Sequence, residues 1–291
     1  MSFFMNAIRC AGIAFSLALL PLGQGMAGEK IADPSRIVSI GGAVTEIVYA
    51  LGKGDLLIAR DSTSLFPPEA MKLPDVGYMR QLSPEGVLSV NPSAILMIEG
   101  SGPKPAIDVM RKSSIPVVTV PEGYDAEAIT AKILAVGAAL GADSEAEALA
   151  KKISADIDEA VKAADAVPAD KRKRVLFVLT LQGGKIMAAG DHTAANGILK
   201  LAGAVNVAGD FHGYKPINDE AVISAAPDVI LMMSRAGPGA SDEEVLSHPA
   251  IKLTPAGKSG SLLRLDGAST LGFGPRTADA IRTVSKALYG G

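Results

Sequence analysis

The stretch "VGYMRQLSPEGVLSVNPSAILMI", Val76 to Ile98, has a counterpart in "HGYKPINDEAVISAAPDVILMM", His212 to Met233. With Leu82–Met97 set against Ile217–Met232, an offset of 135, seven pairs are identical. They are Glu85/Glu220, Val87/Val222, Ser89/Ser224, Pro92/Pro227, Ile95/Ile230, Leu96/Leu231 and Met97/Met232. A Gly-Tyr precedes each copy, Gly77-Tyr78 and Gly213-Tyr214. In the first copy Ser83 suits an N-cap, Pro84 suits the first turn, and Glu85 favours the positive end of a short helix. Pro92 or Pro227 then leads into an apolar strand. A chain that carries one helix–strand unit twice is built from two similar lobes.

Around each copy, apolar strands alternate with helices. In the first half "RIVSI" (36–40), "LLIARD" (56–61), "AILMIE" (94–99) and "PVVTV" (116–120) read as strands, with helices at 45–52, 83–90 and 103–113. Such alternation predicts a mainly parallel sheet covered by helices. Residues 143–166 differ in kind: polar, Ala-rich, and free of internal Gly or Pro, which predicts one long helix. Leu149, Ile153, Ile157 and Val161 give it one apolar stripe. "PADKRKR" (168–174) follows and reads as a solvated loop. The pattern then restarts, with strands at 174–179, 185–190, 229–233 and 261–267, and helices near 193–202, 218–225 and 275–288. The predicted organisation is an α/β chain with an N-terminal lobe at 28–142, a bridging helix at 143–167 and a C-terminal lobe at 168–291.

Composition narrows the function. The 291 residues are 48% hydrophobic and 20% charged, so the chain is globular. A net charge of −3 argues against a nucleic-acid binder that relies on a basic surface. The first residues combine a lone Arg9, an apolar run from Cys10 to Leu22, and small residues ending at Ala27. That is the layout of a cleavable secretory signal peptide over residues 1–27. Its apolar run falls short of the roughly 20 residues a membrane span needs. Cys10 is the only cysteine, so the mature chain carries no disulfide and no thiol chemistry.

Enzyme motifs are weak. "IVSIGGAVTE" with Asp61 about 20 residues on evokes a dinucleotide fingerprint, but Gly41-Gly42 lacks the G-x-G-x-x-G spacing, and a tight strand-to-helix turn is the better reading. There is no P-loop lysine, no G-x-S-x-G and no H-E-x-x-H. His192, His212 and His248 are unclustered in sequence, which argues against a metal site with several His ligands. No catalytic role is expected. Tyr78 stands out because it lies in a Gly-containing loop with Arg80 two residues on. A cation beside a phenol favours the phenolate, and a phenolate oxygen is a hard ligand for ferric iron, Tyr being one of the axial ligands of haem. Arg80 could instead hold a carboxylate by charge-assisted hydrogen bonds. The plain alternative is a Tyr that packs on the surface of its loop.

From about Arg36 to Leu288 the chain resembles the periplasmic haem-binding proteins that feed haem to ABC importers, a branch of the cobalamin- and siderophore-binding group. "RIVSIGGAVTEIVYALG", "DVGYMRQLSPEGVLSVNPSAIL", "GYKPINDEAVISAAPDVIL" and "GFGPRTADA" carry the resemblance. It implies two Rossmann-like lobes joined by a rigid helix, a monomer in the periplasm, and haem as the transported ligand. It maps the axial iron ligand onto Tyr78 and a neighbouring basic residue onto Arg80. Arg235 resembles a basic residue on the opposite cleft wall, and Tyr214 is a cleft candidate because the repeat sets it opposite Tyr78. "VLTLQGG", where some members carry a second-lobe His, has none, which leaves His192 and His212 as possible substitutes. Glu85 and Glu220 resemble the residues that dock on arginines of the two permease subunits. The same-fold alternative is a siderophore- or cobalamin-binding protein, and the different-class alternative is an exported α/β enzyme.

Overall fold

The computed structural model describes residues 30–234 and 239–290. The signal-peptide reading, Cys10 and Arg235 fall outside them. The first sheet holds β1 (Ile37–Ile40), β2 (Leu57–Arg60), β3 (Ala94–Ile98) and β4 (Val117–Val120) in the order β2-β1-β3-β4, all parallel. Every residue of β1 and β3 is buried, as expected where helices cover both faces.

The second sheet holds β5 (Arg174–Gln182), β6 (Lys185–Ala189), β7 (Val205–Asn206), β8 (Tyr214–Ile217), β9 (Val229–Ser234) and β10 (Leu262–Asp266). Its main order is β10-β9-β5-β6-β8, with β7 also on β5. The sheet is mainly parallel, as expected, with an antiparallel portion at one edge. Strands β10, β9, β5 and β7 are parallel, but β5–β6 and β6–β8 are antiparallel. The cause is local. Gly183 (φ 55) and Gly184 (φ 72) supply the left-handed pair that a tight hairpin needs, so β5 turns straight back into β6 without a crossover helix.

The repeat is a repeat of structure. The helices Pro84–Leu88 and Asp219–Ala225 are capped alike, with Ser83 Oγ accepting from the Gly86 N–H and Asn218 Oδ1 from the Ala221 N–H. Val87 and Val222 are both fully buried. After each helix a non-glycine residue turns left-handed, Asn91 (φ 50) and Ala226 (φ 41). An arginine at the start of each lobe's first strand clamps that turn: Arg36 donates to the Val90 and Asn91 carbonyls, Arg174 to the Ala225 carbonyl.

Between the sheets runs one helix, Asp143–Asp165, of 23 residues, about 34 Å at 1.5 Å per residue. Its buried line is Ala146, Ala150, Ile153, Ile157, Ala160 and Ala164, while Leu149 and Val161 of the expected stripe lie at its half-buried margins. Alanines let neighbouring helices come close: a Cβ on Gly137 would stand 2.2 Å from the Ala146 Cβ. Gly137 belongs to the helix Ala126–Leu140, which the sequence reading passed over although Asp125 and Gly141 cap it plainly. The buried line joins the first sheet's core to Val175, Phe177, Val229 and Leu231 of the second. The opposite face of β5, Leu176 and Val178, belongs to a separate small core.

The segment Phe273–Arg276 clamps the halves together. Arg276 makes a two-point ion pair with Glu46 on the helix Gly42–Ala50, donating from Nε to Oε2 at 3.0 Å and from Nη2 to Oε1. Its guanidinium also lies over the Phe66 ring, 3.9 Å from the centroid. Lys132, fully buried, donates to Glu122 Oε1 at 2.6 Å and to the Phe273 carbonyl at 3.1 Å. Arg276→Ala should therefore lower the unfolding free energy by about 2–3 kcal/mol in urea titrations, the low end for a buried pair because Arg276 is partly exposed. Arg282→Ala, whose pairs with Asp279 and Glu159 are exposed, should cost under about 0.5 kcal/mol.

Candidate functional site

Tyr78 sits on a loop that is nailed down at every third residue. Val76, Met79 and Leu82 are buried, so Tyr78 and Arg80 between them project outward. The backbone is pinned as well. Ser62 N–H donates to the Gly77 carbonyl at 2.9 Å, Gly102 N–H to Met79 at 2.8 Å, and Leu82 N–H to Gly102 at 2.8 Å. Gly77 (φ 105) provides the turn that only glycine takes without strain. Arg80 Nη1 donates to the Tyr78 phenol oxygen at 3.1 Å. This loop rests on a second one, held by Asp61. That carboxylate is fully buried and accepts from the Gly41 N–H, the Thr63 N–H and the Thr63 and Ser64 hydroxyls. Asp61 is thus a loop anchor, in line with the turn reading of "IVSIGG".

Arg80 is the electrostatic centre of the site. Besides Tyr78 it acts on the phenols of Tyr124 and Tyr214, and these interactions outweigh its partial burial and hold its pKa up. Tyr214 comes from the second sheet, at the start of β8. Its ring is partly exposed, yet burial of its phenol end pushes its pKa up, with Arg80 opposing. Tyr124 is half-buried. Burial pushes its phenol up first, the Glu122 carboxylate adds to that, and Arg80 again opposes. Tyr124 also meets Phe273 edge to face at 5.3 Å. A Cβ on Gly197 would lie 2.5 Å from the Tyr124 carbonyl oxygen and 2.9 Å from Phe273, so the lobes touch closely here. Tyr124 was not singled out from sequence. Its only signal was a Gly-Tyr like those before Tyr78 and Tyr214.

The remaining candidates separate from this cluster. Glu85 and Glu220 are both exposed, in the first turn of their helices. The Ser83 hydroxyl, donating to Glu85 Oε2 at 2.7 Å, holds that carboxyl below its ordinary range. The histidines require a correction. Unclustered in sequence, His192 and His212 converge on Asp191, because β6 and the chain leading into β8 run side by side. His248 is a buried cap, its Nδ1 accepting from the Ala250 N–H and its Nε2 3.0 Å from the Gly184 carbonyl oxygen.

A family model described as periplasmic binding protein matches residues 37–268. The solved periplasmic haem-binding protein BhuT, in complex with two haems, is 36% identical, with a TM-score of 0.81 over 87% of this chain and 97% of that one. An uncharacterized ABC transporter substrate-binding lipoprotein of Bacillus subtilis, YvrC, is 27% identical over 88% of this chain and 81% of its own. A vitamin B12-binding protein of Pectobacterium atrosepticum is 28% identical over 73% of this chain and 74% of its own. Among the described residues no helix is long and apolar enough to cross a membrane.

The raised phenols have a consequence for stability. Unfolded tyrosines ionise near pH 10, whereas burial keeps Tyr124 and Tyr214 neutral to higher pH. Their contribution is complete below about pH 10 and is lost as pH rises through the folded values. Urea midpoints should fall above about pH 10, and Tyr124→Phe should flatten that fall.

Proposed function

Because the chain belongs to the periplasmic binding protein family, we propose that it captures haem between its two lobes and delivers it to an ABC importer. The observation that carries this reading is the Arg80–Tyr78 hydrogen bond on a firmly held loop. A phenolate oxygen is a hard donor suited to ferric iron. The guanidinium beside it stabilises the negative charge that remains when iron replaces the proton. Tyr214 and Tyr124 offer aromatic surface to a flat macrocycle, and Arg235 is assigned to a propionate. The protein binds and releases its ligand without catalysis. It acts in the periplasm as a monomer, after loss of residues 1–27. Its working parts are the lobe at 28–142, the helix at 143–167 and the lobe at 168–291.

The likeness to a B12-binding protein supports a second reading, a cobalamin or siderophore ligand in the same cleft. Hemin, cobalamin and a ferric siderophore titrated into the purified mature chain separate the two. Hemin should give a saturable Soret band and the others no binding; saturable cobalamin binding without a Soret change would reverse the assignment. Tyr78→Phe keeps the ring and removes the oxygen. It should abolish the high-spin phenolate charge-transfer band and weaken hemin binding substantially; an unchanged spectrum would exclude Tyr78 as the ligand.

Glu85 and Glu220 are assigned to docking on a permease dimer. Their helices repeat in cap, buried valine and following turn, so each lobe presents one carboxylate in an equivalent place. The ligand is asymmetric and needs Tyr-x-Arg only once, whereas two similar permease subunits need one carboxylate each. Glu85→Arg combined with Glu220→Arg should leave the hemin titration unchanged and stop uptake into vesicles carrying the transporter. Normal delivery by that double variant would show that the repeat records only the common origin of the lobes.

A further inference from the structure

The second lobe carries a cluster that the haem reading does not use. Asp191, His192 and His212 each offer one donor atom, and these atoms lie within 4.8 Å of one another. His212 Nδ1 is 2.5 Å from Asp191 Oδ1, and His192 Nδ1 is 3.1 Å from Asp191 Oδ2. The two rings meet edge to face at 4.3 Å.

The backbone is built to bring them together. Gly190 N–H donates to the Gly213 carbonyl, Asp191 N–H to the Phe211 carbonyl and Gly213 N–H to the Asp191 carbonyl, at 2.7–2.9 Å. Only glycine fits at 190, since a Cβ there would lie 1.9 Å from the Phe211 carbonyl oxygen. His192 takes a left-handed backbone (φ 52), uncommon outside glycine, which keeps its ring beside Asp191. Stability does not account for this arrangement. The imidazoles are 76% and 70% exposed, and exposed ion pairs contribute little. Among the described residues they are also the only ionic partners of Asp191.

We propose that Asp191, His192 and His212 form a site for a divalent transition-metal cation, with coordination positions left open to solvent. Two imidazole nitrogens and one carboxylate oxygen suit Zn²⁺ or Co²⁺. Bonds of about 2.0–2.2 Å require donors no more than about 4.4 Å apart, which small rotations of exposed side chains supply. A three-ligand site keeps room for water or for an anionic oxygen of a bound molecule. The site lies two residues before Tyr214 in the chain, on the same lobe. It does not depend on the haem assignment.

The test is a CoCl₂ titration of the purified mature chain without hemin, followed by visible d–d absorption, with Zn²⁺ as competitor. One Co²⁺ per chain should bind saturably and be displaced by Zn²⁺. His192→Ala, His212→Ala and Asp191→Asn should each weaken binding by more than about tenfold, with unchanged circular dichroism, while Tyr78→Phe binds Co²⁺ as the parent does. Failure to saturate at millimolar Co²⁺, or equal binding by all variants, overturns the proposal. So does a hemin complex that loses a low-spin spectrum in His212→Ala when no Co²⁺ binds, since the imidazole would then serve iron.

Discussion

The structure depends on one apolar core that does not stop between the lobes. It passes from β1 and β3, through the buried alanine and isoleucine line of the helix Asp143–Asp165, to Val175, Phe177, Val229 and Leu231. A hinge would have to break that continuity and expose apolar surface, at about 25 cal/mol for each Å². The polar contacts of Phe273–Arg276 then fix the angle. Glu46 and Arg276 are partners only while the lobes stay together, and Lys132, paired with Glu122 in its own lobe, adds a bond to the Phe273 carbonyl across the junction.

Rigidity at that scale would preorganise the proposed ligand site. The residues proposed for the ligand sit on fixed supports: Tyr78 and Arg80 among buried neighbours, Tyr214 on a sheet strand, and Tyr124 against Phe273. A ligand that meets groups already in place loses less of its binding energy to ordering them. The same packing that resists hinge motion therefore serves recognition. It also accounts for glycines at the contact: a side chain at Gly197 would collide with Tyr124, and one at Gly274 would crowd Ala43.

The two lobes share a scaffold and differ in what they display on it. The capped helix, the left-handed turn and the arginine clamp recur, because each solves the same local problem of ending a helix and starting a buried strand. The loops before them do not recur. One presents Tyr78 with Arg80, the other Tyr214 with His212, which meets Asp191 and His192 of a separate segment.

Much of this was legible in the chain itself. The repeat announced two lobes, the Ala-rich run announced the bridging helix, and Tyr78 with Arg80 is a local pair that sequence spacing alone can place. Those features are set by contacts within a few residues, where hydrophobic periodicity, caps and turn residues act directly. The hairpin at Gly183-Gly184 is legible too, since two adjacent glycines between apolar runs supply a tight turn. What only the tertiary structure decided was every pairing across long separations. Glu46 meets Arg276 from 230 positions away, Lys132 meets Phe273 from 141, and His192 reaches His212 through Asp191 because two chain segments lie side by side. No periodicity encodes such meetings. They follow from how the sheets and the bridging helix pack, and that packing is a property of the whole core.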